Sequence, residues 1–199
     1  MEPLVAVGSE LPKSVSEPTP LVVESYSPMI DRSADQPTPG TAGLRTFQVS
    51  ECHRTQVKKL TRRVHEASLF GDILFSNVKF DRFFDLAIDR NSRQHLGLAV
   101  SLDERVLGCC YCSIGAYFIG DGGRIVSVNT ICVDPDVSKR LLGGKVALRL
   151  AKGIETWAEA QQATHILYHV TAGIDGRRAD RFFRQIGIVA VGGNYCLTL

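Results

Sequence analysis

The sequence contains no apolar run long enough to cross a bilayer and no large excess of either charge. No uncharged stretch is longer than 15 residues, the length of residues 106–120, and this is shorter than the roughly 20 residues of a membrane-spanning helix. The 23 basic residues are nearly balanced by 21 acidic ones, so nucleic acid is an unlikely partner. Glu2 stands where a secretory signal has basic residues, and the apolar run of roughly 7 to 15 residues that such a signal needs is absent after it. The sequence predicts a soluble protein without a membrane partner, located in the cytoplasm or in a particle assembled inside a cell.

The six cysteines do not form the pattern of a disulfide framework. Their spacing is irregular, and three of them fall within residues 109–112. On a strand, Cys110 and Cys112 would share one face while Cys109 takes the other. No second pair of ligands follows at the spacing of a zinc finger, so no metal site is predicted. The thiols are expected to act as small buried apolar groups.

Proline is nearly absent after residue 43. Seven of the eight prolines lie in residues 1–43, which carry a net charge of −4 against +6 for the remainder. Proline removes backbone donors and interrupts helices and sheets. Residues 1–43 are therefore predicted to form an extended, acidic arm or linker that could contact a protein assembly. Residues 44–199 are predicted to form one folded domain.

The periodicity of residues 44–199 predicts an α+β domain. The strands at residues 96–102, 106–118 and 124–133 are separated by short turn segments and should form an antiparallel meander. A strand at 165–171 follows a long helix and should pair in parallel through a right-handed crossover. The remaining predicted elements are a strand at 44–50, helices at 50–69, 79–89, 143–163 and 175–186, and a closing pair of strands at 188–199.

The first predicted helix carries four cations opposite its apolar face. They are Lys58, Lys59, Arg62 and Arg63. Such a row is typical of a solvated helix face, and a surface for an acidic partner or a nucleic acid is the alternative.

Residues 129–150 form a strand that runs through a proline-marked turn into a helix beginning with Gly143 and Gly144. A helix start presents unpaired N–H groups and a partial positive charge, and glycines let an anion approach that backbone. Three cations surround this start, at Lys139, Arg140 and Lys145. The segment predicts an anion site, although a flexible loop entering an ordinary helix explains the same pattern. The spacings of common nucleotide-binding loops are absent.

The order of elements and three segments of the chain resemble the GNAT superfamily of N-acetyltransferases. The segments are Val133–Pro135, Arg140–Lys145 and Ala179–Ile188. The resemblance covers the chain from about residue 44 onward. It implies an acyl-CoA N-acyltransferase-like fold, with a mixed, mostly antiparallel sheet flanked by helices. It also implies acetyl-CoA as co-substrate and an amine-bearing small molecule or protein as acceptor.

The resemblance assigns roles to two groups of residues. The backbone of Ile131, Cys132 and Val133 would pair with the pantetheine arm at a splayed sheet edge, and an N–H group there would face the thioester oxygen. The pyrophosphate would be surrounded by Lys139, Arg140, Leu142, Gly143, Gly144 and Lys145.

Three positions depart from the family pattern. Lys145 stands where the family's glycine loop ends in glycine or alanine, and the loop before Arg140 is longer than usual. Phe183 stands where many members have a tyrosine that protonates the departing thiolate, so the acid is Tyr168, a water, or absent. The strand at residues 125–133 has no glutamate to serve as base.

An ammonium group must lose a proton before it attacks the thioester. His169 is the predicted base because histidine titrates near neutral pH, although a hydrogen-bonded structural histidine is the alternative. A further alternative is Cys132 as an acyl-carrying nucleophile.

Two functions remain open from the sequence. The first is an N-acetyltransferase that moves an acetyl group from acetyl-CoA to an amine. The second is a catalytically degenerate GNAT-like structural or interaction protein that docks through residues 1–43 into a larger assembly, for example a virion. The basic loop favours the first, and the missing tyrosine and glutamate favour the second.

Overall fold

The computed structural model describes residues 43–169 and 176–191. These residues form five strands: β1 (Arg45–Gln48), β2 (His95–Leu102), β3 (Arg105–Ala116), β4 (Arg124–Val133) and β5 (His165–Tyr168). The helices are α1 (Arg54–Glu66), α2 (Asn77–Ile88), α3 (Pro135–Ser138), α4 (Leu141–Ala160) and α5 (Gly176–Gln185), with a short 3-10 helix at Glu51–His53. The short helix α3 was expected to be a turn. All of the predicted arm at residues 1–43 except Gly43, and most of the predicted pair at 188–199, lie outside the described residues.

The five strands form one sheet in the order β1-β2-β3-β4-β5. Among the first four strands, each adjacent pair is antiparallel. Strand β5 is parallel to β4, because α4 carries the chain back across the sheet between them. This mixed, mostly antiparallel sheet flanked by helices confirms the predicted α+β fold.

Each face of the sheet is covered by its own apolar core. The face toward α4 holds Cys110 and Cys112 among buried aliphatic side chains, and the fully buried Leu150 and Ile154 of α4 pack on it. The opposite face holds Cys109 beneath α1 and α2. Cysteines 109, 110, 112 and 132 are buried thiols as expected, but Cys52 is exposed. Alternation along β3 therefore separates its cysteines as the sequence predicts.

A β-bulge interrupts the pairing between β3 and β4. Tyr111 pairs with Thr130 and Cys112 pairs with Val128, so Asn129 is an extra residue in β4. The bulge reverses the alternation of β4, because Val128 and Ile131 then face the same side of the sheet. Among the described residues, the pairing of β4 with β5 ends at Val128. The last five residues of β4 have no strand partner on this side among the described residues.

The row of cations on α1 is not a freely solvated face. Lys58 contacts the carboxylate of Asp81 on α2 at 2.8 Å, and Arg63 donates to Asp134 at 3.1 Å. Arg62 lies 5.1 Å from the centre of the Phe75 ring. The expectation of a solvated face is wrong for Lys58 and Arg63, because helix packing brings carboxylates to them, whereas Arg62 remains exposed.

Candidate functional site

A groove of about 640 Å³ lies beside the last residues of β4. Ile131 and Val133 of β4 form one wall, and the α3–α4 turn and α5 form the others. The end of α1 closes the groove with Val64 and Ala67. The groove has apolar side chains along the strand and cations at the turn, which suits a ligand with a neutral arm and an anionic end.

The start of α4 presents unpaired backbone donors. Arg140 is the N-cap residue, with extended backbone and no side-chain cap hydrogen bond. The first bond of the helix joins the N–H group of Gly144 to the carbonyl of Arg140 at 3.4 Å. The N–H groups of Leu141, Leu142 and Gly143 precede that bond and have no acceptor inside the helix. These donors and the helix dipole favour an anion at this end.

The two glycines of this helix start have different roles. A Cβ on Gly143 would collide with the carbonyl oxygen of Val137 and would lie 2.7 Å from the Cα of Ser138. A Cβ on Gly144 would meet no described atom within 4 Å, and Gly144 lines the groove. Gly143 therefore permits close packing of α3 on α4, whereas Gly144 leaves the groove open.

A buried carboxylate fixes the turn that carries these groups. Asp134 is 3% exposed, and it accepts hydrogen bonds from Arg63 at 3.1 Å and from Arg105 at 2.7 Å. It also caps α3 by accepting from the N–H group of Asp136 at 3.0 Å. The same arginines donate to the Asp136 side chain and lower the pKa of that carboxyl group. These hydrogen bonds anchor the end of β4 to α1 and β3, and they thereby position the turn that leads into α4.

Six of the nine predicted cofactor residues line the groove. They are Ile131, Val133, Lys139, Arg140, Gly143 and Gly144. The other three side chains lie elsewhere: Leu142 packs against the core under α4, and Lys145 is exposed. Cys132 is 2% exposed and belongs to the core on the opposite face of the sheet. Burial of its thiol excludes the alternative in which Cys132 is an accessible nucleophile.

The two predicted catalytic residues lie at the end of β5. Tyr168 is half-buried against Phe183, with 4.9 Å between the ring centres. Phe183 lines the groove, whereas Tyr168 lines a separate cavity of about 440 Å³ beside α4. Burial raises the pKa of Tyr168, which weakens it as a proton donor. His169 follows as a half-buried residue, and residues 170–175 after it lie outside the described part of the chain.

The sequence did not indicate that Arg178 of α5 contributes to the groove. Arg178 lines it and donates to the carbonyl of Ser138 at 3.3 Å. Ala179 and Phe182 line the same wall. Arg178 adds a third cation to those of Lys139 and Arg140. Adjacent arginines at the start of a helix were the available signal, but only the packing of α5 against the α3–α4 turn reveals which one faces the groove.

A polar pair was also missed on the other face of the sheet. The hydroxyl oxygen of Tyr111 lies 2.8 Å from Nδ1 of His95. Their rings are stacked at 13° with centres 5.7 Å apart.

Within residues 43–169 and 176–191, no group of three or more side chains is arranged so that it could hold a metal ion. No helix in the same ranges is long and apolar enough to cross a membrane.

No family model and no curated protein sequence matches the chain. Solved structures do match its fold. The aminoglycoside N-acetyltransferase AAC(6')-Iy, solved with the bisubstrate analogue CoA-S-monomethyl-acetylneamine, is 11% identical with a TM-score of 0.61, over 79% of this chain and 98% of that one. An acetyltransferase of Trypanosoma brucei is 15% identical with a TM-score of 0.58, over 79% and 100%. A transcriptional regulator of Bacillus halodurans is 13% identical with a TM-score of 0.61, over 79% and 100%.

These identities are too low to transfer a function, and the fold also occurs in the transcriptional regulator. They do establish the architecture, because the alignments span nearly the whole length of each matched chain. The sequence resemblance is thus confirmed at the level of the fold: this chain has the fold of the GNAT acetyltransferases.

Proposed function

We propose that this protein transfers an acetyl group from acetyl-CoA to an amine acceptor. The observation that carries the proposal is the groove beside the end of β4, which leads to the start of α4 and its unpaired N–H groups. CoA is a polyanion with an extended amide-bearing arm, so it needs both features side by side. Structures with the same fold and a bound CoA analogue support the proposal.

In this proposal the two ends of the groove hold different parts of the co-substrate. The backbone of Ile131, Cys132 and Val133 pairs with the amides of the pantetheine arm, as an added strand would. This pairing uses only the backbone of Cys132, so the burial of its thiol on the opposite face does not prevent it. The bound thioester supplies the acetyl group. A backbone N–H at this edge stabilises the oxyanion that forms on attack.

The anionic end is held at the start of α4. The N–H groups of Leu142 and Gly143 bind the pyrophosphate, while Lys139, Arg140 and Arg178 neutralise its charge. Gly144 admits the phosphate to the helix backbone, and Lys145 adds a more distant charge from the exposed face. At the end of β5, Tyr168 or a water is the acid and His169 the base.

Calorimetric titration with acetyl-CoA tests this function. We expect the unmodified chain to bind, and Gly144→Val to weaken binding by about tenfold or more, because its side chain enters the groove. Gly115→Val is the matched control, since a Cβ there also meets no described atom within 4 Å and Gly115 does not line the groove. Absence of binding at millimolar acetyl-CoA would refute the proposal. Equal binding by the two variants would place the ligand elsewhere.

A second candidate is a GNAT-fold interaction protein docked to an assembly through residues 1–43. It is favoured by Phe183, which has no proton to donate, and by a β4 sequence without a carboxylate. Deletion of residues 1–43 separates the two functions. Loss of a complex, with no acetyl-CoA binding before or after deletion, would support the interaction protein. Retained acetyl-CoA binding by the shortened chain supports the enzyme.

A further inference from the structure

The segment that joins α1 to α2, residues 67–76, begins at the groove and carries exposed apolar side chains. Ala67, its first residue, lines the groove together with Val64 of α1. Leu69 is 71% exposed, Ile73 59% and Leu74 93%. The proposed contacts with acetyl-CoA use none of these three side chains, so their apolar surface is available to a second molecule at the groove.

Hydrogen bonds hold this segment against the end of α1. Nε2 of His65 lies 2.6 Å from the carbonyl oxygen of Ile73, and the N–H group of Gly71 donates to the carbonyl of Ser68 at 3.1 Å. A Cβ on Gly71 would collide with the carbonyl oxygen of Glu66. The backbone is therefore closely packed on α1 while the apolar side chains face solvent. An exposed apolar patch of this kind is typical of a surface that binds a ligand or a partner.

Cations line the groove that this segment borders. Of the residues 43–169 and 176–191 that line it, three are lysine or arginine and none is aspartate or glutamate. The carboxylates of Asp134 and Asp136, just after β4, are already paired with arginines. Asp72 is the only charged residue within residues 67–76. In the described part of the chain, the groove therefore offers no partner for a second or third ammonium group.

The charge and the apolar area of an acceptor have opposite consequences at such a surface. An ammonium group gives up water when it enters a protein site, and binding is favourable only if carboxylates or other acceptors replace that water. An alkyl chain instead gains free energy when it leaves water for an apolar surface. The groove and the adjoining segment thus favour an acceptor with little charge and a large apolar part.

We propose that the acceptor is a monoamine with an apolar body. The body packs on Leu69, Ile73 and Leu74, and the single amino group enters the groove beside Ala67. This inference rests on the proposed acetyl transfer and names the class of its acceptor. Neamine, which carries several amino groups, should be a poor acceptor for this chain.

Four acceptors test the class with the full chain and acetyl-CoA: hexylamine, ethylamine, hexamethylenediamine and neamine. Release of CoA thiol gives kcat/KM for each. Hexylamine should exceed ethylamine by about tenfold or more, because its longer chain removes more apolar area from water. It should exceed hexamethylenediamine by about tenfold or more, because the second ammonium group of the diamine would lose water on an apolar surface. Neamine should be the slowest of the four.

Substitution of Leu74 tests where the apolar body lies. Leu74→Glu places a carboxylate on the patch, so the preference for hexylamine over the diamine should fall by about tenfold. Leu74→Lys should raise that preference, because a second ammonium group is then repelled. Phe118→Glu is the matched control. Phe118 is 86% exposed and lies between β3 and β4, at the opposite end of β4 from the groove.

The outcomes separate the acceptor class from the function on which it rests. Absence of acetyl-CoA binding in calorimetry removes both. Binding with equal or faster transfer to the diamine or to neamine overturns the acceptor class and keeps acetyl transfer. Binding without transfer to any of the four amines also overturns it and keeps only the co-substrate site.

The variants decide the position of the acceptor. A hexylamine preference that Leu74→Glu changes no more than Phe118→Glu does would overturn the packing on the α1–α2 segment. Opposite shifts of the preference in Leu74→Glu and Leu74→Lys, with the acetyl-CoA affinity of both variants unchanged, support it.

Discussion

The two faces of the sheet beside the bulge in β4 differ in charge and in the contacts that stabilise them. Toward α4, cations and unpaired N–H groups surround the groove, and the buried Asp134 anchors the turn that carries them. Toward α2, the aromatic rings of Phe83 and Tyr111 are in contact, and the Tyr111 hydroxyl lies 2.8 Å from His95 Nδ1. The carboxylates of α2 on this side, Asp81 and Asp85, are paired with cations of α1. The first side can bind an anion, whereas on the second side the charged groups already neutralise one another.

The anchor of the anion side should give the largest effect on stability. Asp134→Ala removes the cap of α3 and leaves Arg63 and Arg105 without their buried partner. We expect a loss of about 2 to 3 kcal/mol in the free energy of unfolding, measured by urea denaturation. Phe83→Ala on the aromatic side is the comparison, since its half-exposed ring should cost less. An Asp134→Ala protein as stable as the unmodified one would show that the anchor is not needed.

The two glycines at the start of α4 should respond in opposite directions. Gly143→Ala places a methyl group against the Val137 carbonyl and should destabilise the protein by about 1 to 3 kcal/mol. Gly144→Ala meets open space and should be neutral or stabilising by up to about 1 kcal/mol, because alanine favours the helix. Paired denaturation curves measure both. Equal effects would contradict the separate roles given to these residues.

Removal of a groove cation should weaken binding without affecting the fold. Arg178→Ala should lower the affinity for acetyl-CoA by about five- to tenfold, and the difference should shrink as salt screens the charge. Arg184→Ala is the control, because it lies on the same helix and pairs with Asp180 at 2.9 Å outside the groove. An equal loss in the two variants would indicate a general charge effect instead of a specific contact.

The smallest expected effect is a pH dependence from Asp136. Hydrogen bonds from Arg63 and Arg105 lower its pKa, so its carboxylate stabilises the folded state above the ordinary carboxyl pKa. That contribution is lost as pH falls through the depressed pKa. The stability difference between the unmodified chain and Asp136→Asn should therefore be present at neutral pH and vanish in acid. A difference that persists unchanged in acid would contradict the assigned hydrogen bonds.

Local patterns were sufficient to predict most of the fold. Alternation gave β2, β3 and β4, and helical periodicity gave α1, α2 and α4, because each element buries one face. The parallel pairing of β5 followed from the helix that precedes it. Glycines and cations near Arg140 located the start of α4, because the groups of a helix start that can bind an anion are adjacent in sequence.

The features that sequence reasoning missed all depend on distant partners. The bulge at Asn129 is defined by its register against β3. Arg178 reaches the groove because α5 packs against the α3–α4 turn. The contact between Tyr111 and His95 joins two strands across the sheet. Lys58 was expected in solvent, but the carboxylate of Asp81 is supplied by another helix. None of these pairings can be recognised from the sequence of a single segment.

A crystal structure of the chain soaked with CoA would show where the co-substrate binds. We expect the diphosphate within hydrogen-bonding distance of the N–H groups at Leu142 and Gly143, and the pantetheine arm along Ile131–Val133. A CoA molecule bound away from the start of α4 would contradict the account. So would an empty groove at a CoA concentration that saturates binding in solution.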